Sequence, residues 1–112
     1  MEKATPLVNS SMLPQYRGQT VRVIGKITKL HGHTLLIQTS DLGNVEVILN
    51  PDTHLSGSGY VEVIGKVSEG MDGESTIREF TTVAFGEKLD LDLVEKVIQI
   101  SQHVPHLFTE AA

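Results

Sequence analysis

Two seven-residue segments of this chain are almost the same: Val21-Arg22-Val23-Ile24-Gly25-Lys26-Ile27 and Val61-Glu62-Val63-Ile64-Gly65-Lys66-Val67. Both alternate apolar and polar residues with the two-residue period of a strand that buries one face, and both carry a glycine inside the run. Two copies separated by dissimilar sequence do not make a solenoid. The similarity has a structural reason if the segments are neighbouring strands of a small closed sheet. Each strand must then bend sharply where the sheet curls, and Gly25 and Gly65 permit that bend or a bulge. The alternative is chance similarity between two Val-rich strands.

The rest of the pattern supplies the other strands. Alternation holds over 20–30, with Val21, Val23 and Ile27 on one face and Arg22, Lys26 and Thr28 on the other. His31-Gly32-His33 interrupts it and 34–39 resumes it, which predicts a hairpin. After Ser40-Asp41-Leu42-Gly43 a third strand is predicted over 44–49, where Val45, Val47 and Leu49 alternate with Glu46 and Ile48. Residues 50–59 carry Pro51, Asp52, Gly57 and Gly59 and read as loop, with room for at most one helical turn near 53–55. Strands over 60–68 and 76–85 flank a turn at 70–73. Five short strands with a loop between the third and fourth predict an all-β fold, the five-stranded Greek-key barrel of the OB fold; a sandwich needs about seven. Residues 1–19 read as an arm broken by Pro6, Pro14 and Gly18, with Leu7, Val8, Met12, Leu13 and Tyr16 available to strap it down.

At 112 residues the chain fits one domain, divided into an arm over 1–19, a barrel over 20–86 and an oligomerisation helix over 90–105. Apolar residues at 39% and charged residues at 21% point away from disorder and from a membrane span. With no cysteine and no apolar leader in Met1–Pro6, an intracellular address is expected. A net charge of −5 opposes the phosphate neutralisation on which independent nucleic-acid binding depends.

After Phe85-Gly86 the hydrophobic period changes to that of a helix. Asp90 or Asp92 can cap it, Glu95 is read in its first turn, and a run over 91–103 stops before Pro105. Leu93, Val97, Ile100 and Val104 form one stripe; Leu91, Val94 and Ile98 form a second beside it. Together they cover about half the circumference, more than the roughly 100° that one docking surface needs. The excess suggests two contact surfaces, filled by helices from two partner chains. The competing reading is that one stripe closes the open end of the chain's own barrel.

The residues that carry catalysis are not apparent. There is no Gly-rich phosphate loop, Gly-x-Ser-x-Gly elbow or His-Glu-x-x-His pattern, and no thiol, so neither enzyme activity nor a cofactor is expected. His31 with His33, or His103 with His106, lacks a third ligand at metal-site spacing. Single-strand binding on this fold normally uses a basic groove and base-stacking aromatics on strands two and three, yet 33–49 contains no Phe, Tyr or Trp. Tyr16, Tyr60, Phe80, Phe85 and Phe108 lie elsewhere and read as core or interface residues. Arg17, Arg22, Lys26 and Lys29 form a basic cluster, either weak phosphate contacts or a solvated strand face.

Over nearly its whole length the chain resembles the small subunit of eukaryotic replication protein A. The resemblance is carried by Val8-Asn9 with Met12-Leu13-x-Gln15-Tyr16, by Val23–Ile27, by Tyr60–Val67, and by Phe85-Gly86 followed by Asp90-Leu91-x-Leu93 and Pro105-x-Leu107-Phe108. Each element is weak alone; their order and the appended helix are specific. The resemblance implies a nuclear heterotrimer with the middle and large subunits, joined through a three-helix bundle. It implies a part in DNA replication, repair and recombination, with single-stranded DNA held mainly by those partners. A small OB subunit of a telomere-capping trimer shares the general architecture, but the strand over 60–67 and the C-terminal segment match replication protein A more fully.

Overall fold

A computed structural model describes residues 5–70 and 73–103. Its elements are β1 (Leu7–Val8), a 3-10 helix (Ser10–Tyr16), β2 (Thr20–His31), β3 (Thr34–Thr39), β4 (Asn44–Ile48), β5 (Tyr60–Glu69), β6 (Ser75–Gly86) and α1 (Leu91–His103). β2, β3, β4, β6 and β5 hydrogen-bond in that order, and β5 returns to β2, closing a five-stranded barrel. The β4–β6 pairing is parallel and the other barrel pairings are antiparallel. The expected strand boundaries hold to within one residue at each end. The connection after β4 contains a turn at Pro51–Asp52 and no helical turn.

The repeated segments pair with each other. β2 and β5 run antiparallel with Val23 opposite Val63, so Val21 faces Gly65 and Gly25 faces Val61. Each glycine lies where a third strand crosses closely. A Cβ on Gly25 would stand 2.8 Å from the carbonyl oxygen of Gln38 on β3, and one on Gly65 would stand 2.3 Å from that of Arg78 on β6. Gly65 also borders a register shift in the β5–β6 ladder. The repeat therefore reflects matching positions on two adjacent strands that must both be tightly overlapped as the sheet closes.

Alternating side chains fill the interior. Val21, Val23 and Ile27 of β2, Leu35 and Ile37 of β3, Val45 and Val47 of β4, Val61, Val63 and Val67 of β5 and Ile77 of β6 form one buried cluster. The arm is less irregular than its sequence suggests. β1 lies parallel to β2, with Leu7 beside Arg22 and Val8 beside Val23, and the 3-10 helix buries Met12 and Leu13 in the same core. Two residues are too few for an alternation signal, so the β1 strand escapes a periodicity search.

Candidate subunit and nucleic-acid interfaces

Helix α1 begins at a cap supplied by Asp90, the nearer of the two aspartates considered. Its carboxylate accepts the Leu93 N–H at 3.2 Å and its carbonyl accepts the Val94 N–H at 3.2 Å, satisfying donors that an uncapped helix start leaves free. Asp92 occupies the first turn. Glu95 does not, in contrast to the sequence reading: with the helix starting at Leu91 it lies in the second turn, and its role is to accept hydrogen bonds across the fold.

The Glu95 carboxylate accepts from Asn9 Nδ2 at 3.1 and 3.2 Å, from Ser40 Oγ at 2.7 Å and from Gln99 Nε2 at 2.7 Å. Asn9 follows β1 and Ser40 lies in the β3–β4 turn, so one side chain ties the helix to two separate segments at one end of the barrel. Burial acts to raise the pKa of Glu95, and repulsion from Asp41 adds to that. The hydrogen bonds from Ser40, Asn9 and Gln99 prevail and hold it below its ordinary value. Asp41 beside it behaves alike. Burial raises its pKa, but donors from Thr39, Ser10, Ser11 and Gly43 bring it below the usual range.

This docking resolves the two apolar stripes. Val94 and Ile98, 9% and 1% exposed, are part of the barrel core, and half-buried Leu91 packs against it. Leu93, Val97 and Ile100 remain 58%, 37% and 48% exposed on the far side. The stripe formed by Leu91, Val94 and Ile98 is thus turned to the chain's own barrel, as the competing reading held, while the other stripe is left uncovered. Val104, its expected continuation, lies outside the described residues, as do Pro105, His106 and Phe108; of His103 only the backbone is described.

The four basic residues picked out from sequence do not converge on one point. Arg17 donates to the Gly73 carbonyl at 2.7 Å and pairs with Glu69 at 3.6 Å. Arg22 donates to the Thr5 carbonyl at 3.1 Å and pairs with Glu62 at 3.4 Å. Lys26 is exposed on the outer face of β2. Lys29 follows a bulge in the β2–β3 ladder and lines a shallow depression with His31, Thr34, Leu36 and Glu46.

Sequence reading overlooked two exposed cations on the outer barrel wall, Lys66 and Arg78, which are paired across β5 and β6. Lys66 occupies in the second repeat the position of Lys26 in the first, the one signal that pointed to it. Two aromatics are also unlike their expected state as core or interface residues in one respect: Phe80 and Phe85 are 54% and 43% exposed and so are not core. Each is the extra residue where the β5–β6 register shifts: Ile64 and Gly65 oppose Thr81 and Glu79, and Tyr60 and Val61 oppose Gly86 and Ala84.

Residues 1–108 match the family described as Replication factor A protein 3. The chain belongs to that family. A Replication factor A protein 3 from Schizosaccharomyces pombe is 30% identical over 110 residues, covering 98% of this chain and 100% of the relative. A chain in the structure of U. maydis replication protein A bound to ssDNA is 54% identical, with a TM-score of 0.89 and coverage of 98% of this chain and 100% of that one. A chain of the S. pombe Stn1-Ten1 complex superposes with a TM-score of 0.68 at 13% identity, covering 89% of this chain and 93% of that one; this likeness is one of fold. The Replication factor A protein 3 family thus accounts for the barrel and the helix together, and this chain is a replication protein A subunit.

Proposed function

We propose that this chain is the assembly subunit of a heterotrimeric replication protein A. In this reading it folds as a single domain over 1–112, and the exposed stripe of α1 packs against helices of the middle and large subunits in a three-helix bundle. The complex acts in the nucleus, in DNA replication, repair and recombination, and its partners make most of the contact with single-stranded DNA. Arg17, Arg22, Lys26 and Lys29 are weak contributors to that contact.

The observation that carries the proposal is the uncovered face of a docked helix. Leu93, Val97 and Ile100 share one side of α1 while its opposite side is fixed to the barrel through Val94, Glu95 and Ile98. Solvent-exposed Leu, Val and Ile in register along a helix mark a surface that another helix covers. Family membership and the likeness to a chain of an ssDNA-bound replication protein A support the identity of the partners. The deciding experiment is co-expression with two OB-containing subunits, followed by size-exclusion chromatography with mass determination. A one-to-one-to-one complex is expected. A soluble monomer that ignores both partners would overturn the proposal.

A further inference from the structure

The outer wall formed by β2, β5 and β6 has a character opposite to that of the whole chain. The ladders align its outward residues in rows: Lys66 lies between Thr20 and Arg78, Ile64 between Arg22 and Thr81, Glu62 between Ile24 and Val83, and Tyr60 beside Lys26. Four cations, Arg22, Lys26, Lys66 and Arg78, thus share the wall with one acid, Glu62, in a chain whose net charge is −5. The Arg22–Glu62 pair at 3.4 Å cancels one charge of each sign. Lys26, Lys66 and Arg78 form no ion pair among the described residues, and all three are exposed.

The same wall carries aromatic surface. Half-buried Tyr60 lies beside Lys26, and the two bulges of β6 leave Phe80 and Phe85 exposed along its margin. The bulge at Phe80 is fixed from beneath. The buried Glu79 carboxylate accepts from the Asn50 N–H at 2.9 Å and from Thr53 Oγ1 at 2.7 Å, and Asn50 Nδ2 donates to the Phe80 carbonyl at 3.4 Å. A bulge held by a buried carboxylate is a built feature of the strand. The rows from Lys66 to Tyr60 extend about 20 Å at the rise of a strand.

We propose that this β2–β5–β6 wall is an accessory binding surface for single-stranded nucleic acid. Lys26, Lys66 and Arg78 neutralise backbone phosphates while Phe80, Phe85 and Tyr60 offer faces on which unpaired bases stack. Exposed cations with interleaved aromatics are the combination that sequence-tolerant single-strand binding uses. An acidic peptide would use the cations but has no need of the phenylalanines. The surface is distinct from the wall of β3 and β4, where such aromatics are absent. It is also separate from the helix stripe, so co-expression and DNA binding can fail independently.

The test is fluorescence anisotropy of the full 112-residue chain with a labelled sixteen-nucleotide oligothymidine, at several salt concentrations. Binding in the range of about 10⁻⁶ to 10⁻⁴ M is expected. Changing Lys66→Ala and Arg78→Ala together lowers the slope of log affinity against log salt by about 1.4, roughly 0.7 for each single-strand phosphate no longer neutralised. Changing Phe80→Ala and Phe85→Ala together weakens binding about thirtyfold or more with the slope unchanged. Lys96→Ala, on the polar face of α1, has no effect, and circular dichroism verifies that every variant is folded. Absence of binding by the unaltered chain, unchanged binding by both double variants, equal affinity for a duplex of the same length, or equal competition by polyglutamate would each overturn the proposal.

Discussion

The sharpest contrast in the molecule is between Val97 and Ile98, adjacent residues on different stripes of α1. Val97 is 37% exposed and Ile98 is 1% exposed. Val97→Asp places a carboxylate in solvent in the isolated chain, so the folded barrel loses less than about 0.5 kcal/mol, as for other surface changes. In the bundle the same carboxylate is buried without a partner, which costs about 3–5 kcal/mol, or some two to four orders of magnitude in the assembly constant. The exposed fractions of Leu93, Val97 and Ile100 together amount to roughly one and a half fully buried side chains. Covering them yields about 2–4 kcal/mol from this chain, so the substitution removes more than the stripe supplies. Ile98→Asp acts in the opposite order: it puts the charge in the chain's own core and destabilises the isolated protein by about 3–5 kcal/mol. Thermal melts of the free variants, read with the yield of co-expressed complex, separate the two. Unimpaired assembly by Val97→Asp, or equal melting of the two variants, refutes the assignment of the faces.

Two further outcomes follow from the barrel. Because the native pKa of Glu95 is lowered, its contribution is complete above the ordinary carboxylate value and is lost as pH falls through the native one. Glu95→Ala therefore lowers stability by about 1 kcal/mol at neutral pH, and the gap to the unaltered protein narrows as pH falls below the ordinary carboxylate value; a gap that stays constant in melts through the acid range contradicts the tether. Gly65→Ala costs about 1–3 kcal/mol in urea denaturation and more than Gly25→Ala, since its Cβ meets backbone oxygen at 2.3 Å against 2.8 Å; the reverse order rejects strand overlap as the reason for these glycines.

The strands and the span of the helix were legible because their signals are local. Alternation over 20–27, 34–39 and 44–48 maps onto buried and less buried faces residue by residue, and Asp90 marks the helix start within its own turn. The phase of β6 was not. Glu79 keeps the inward phase of Ile77 and is buried, but after it each bulge inserts a residue, so Phe80 and Thr81 both face outward and Phe85 is released to the exterior. Nothing in Thr76–Phe85 states where the extra residues sit, because the shift is defined by pairing with β5. The cationic wall was hidden for a similar reason. Lys26, Lys66 and Arg78 come from three strands and share one wall only through registry, whereas Arg17 and Lys29, closer in sequence to Lys26, are diverted elsewhere.

The choice between the two helix stripes is likewise nonlocal. Leu93, Val97 and Ile100 are as apolar as Leu91, Val94 and Ile98, so hydrophobicity alone offers no preference for which set enters the barrel. Glu95 breaks the tie. It lies on the same side as Val94 and Ile98, and only with that side inward does its carboxylate reach Asn9 and Ser40, which are 86 and 55 residues away in sequence. Rotating the helix to bury Val97 instead would carry Glu95 away from both donors and leave Asn9, itself buried, without that acceptor, a cost of about 1–3 kcal/mol. The polar tether therefore sets the rotation of α1, and through it the rotation dictates that Leu93, Val97 and Ile100 face outward. A surface for partner helices is in this sense specified by a carboxylate that a partner on that stripe has no need to touch.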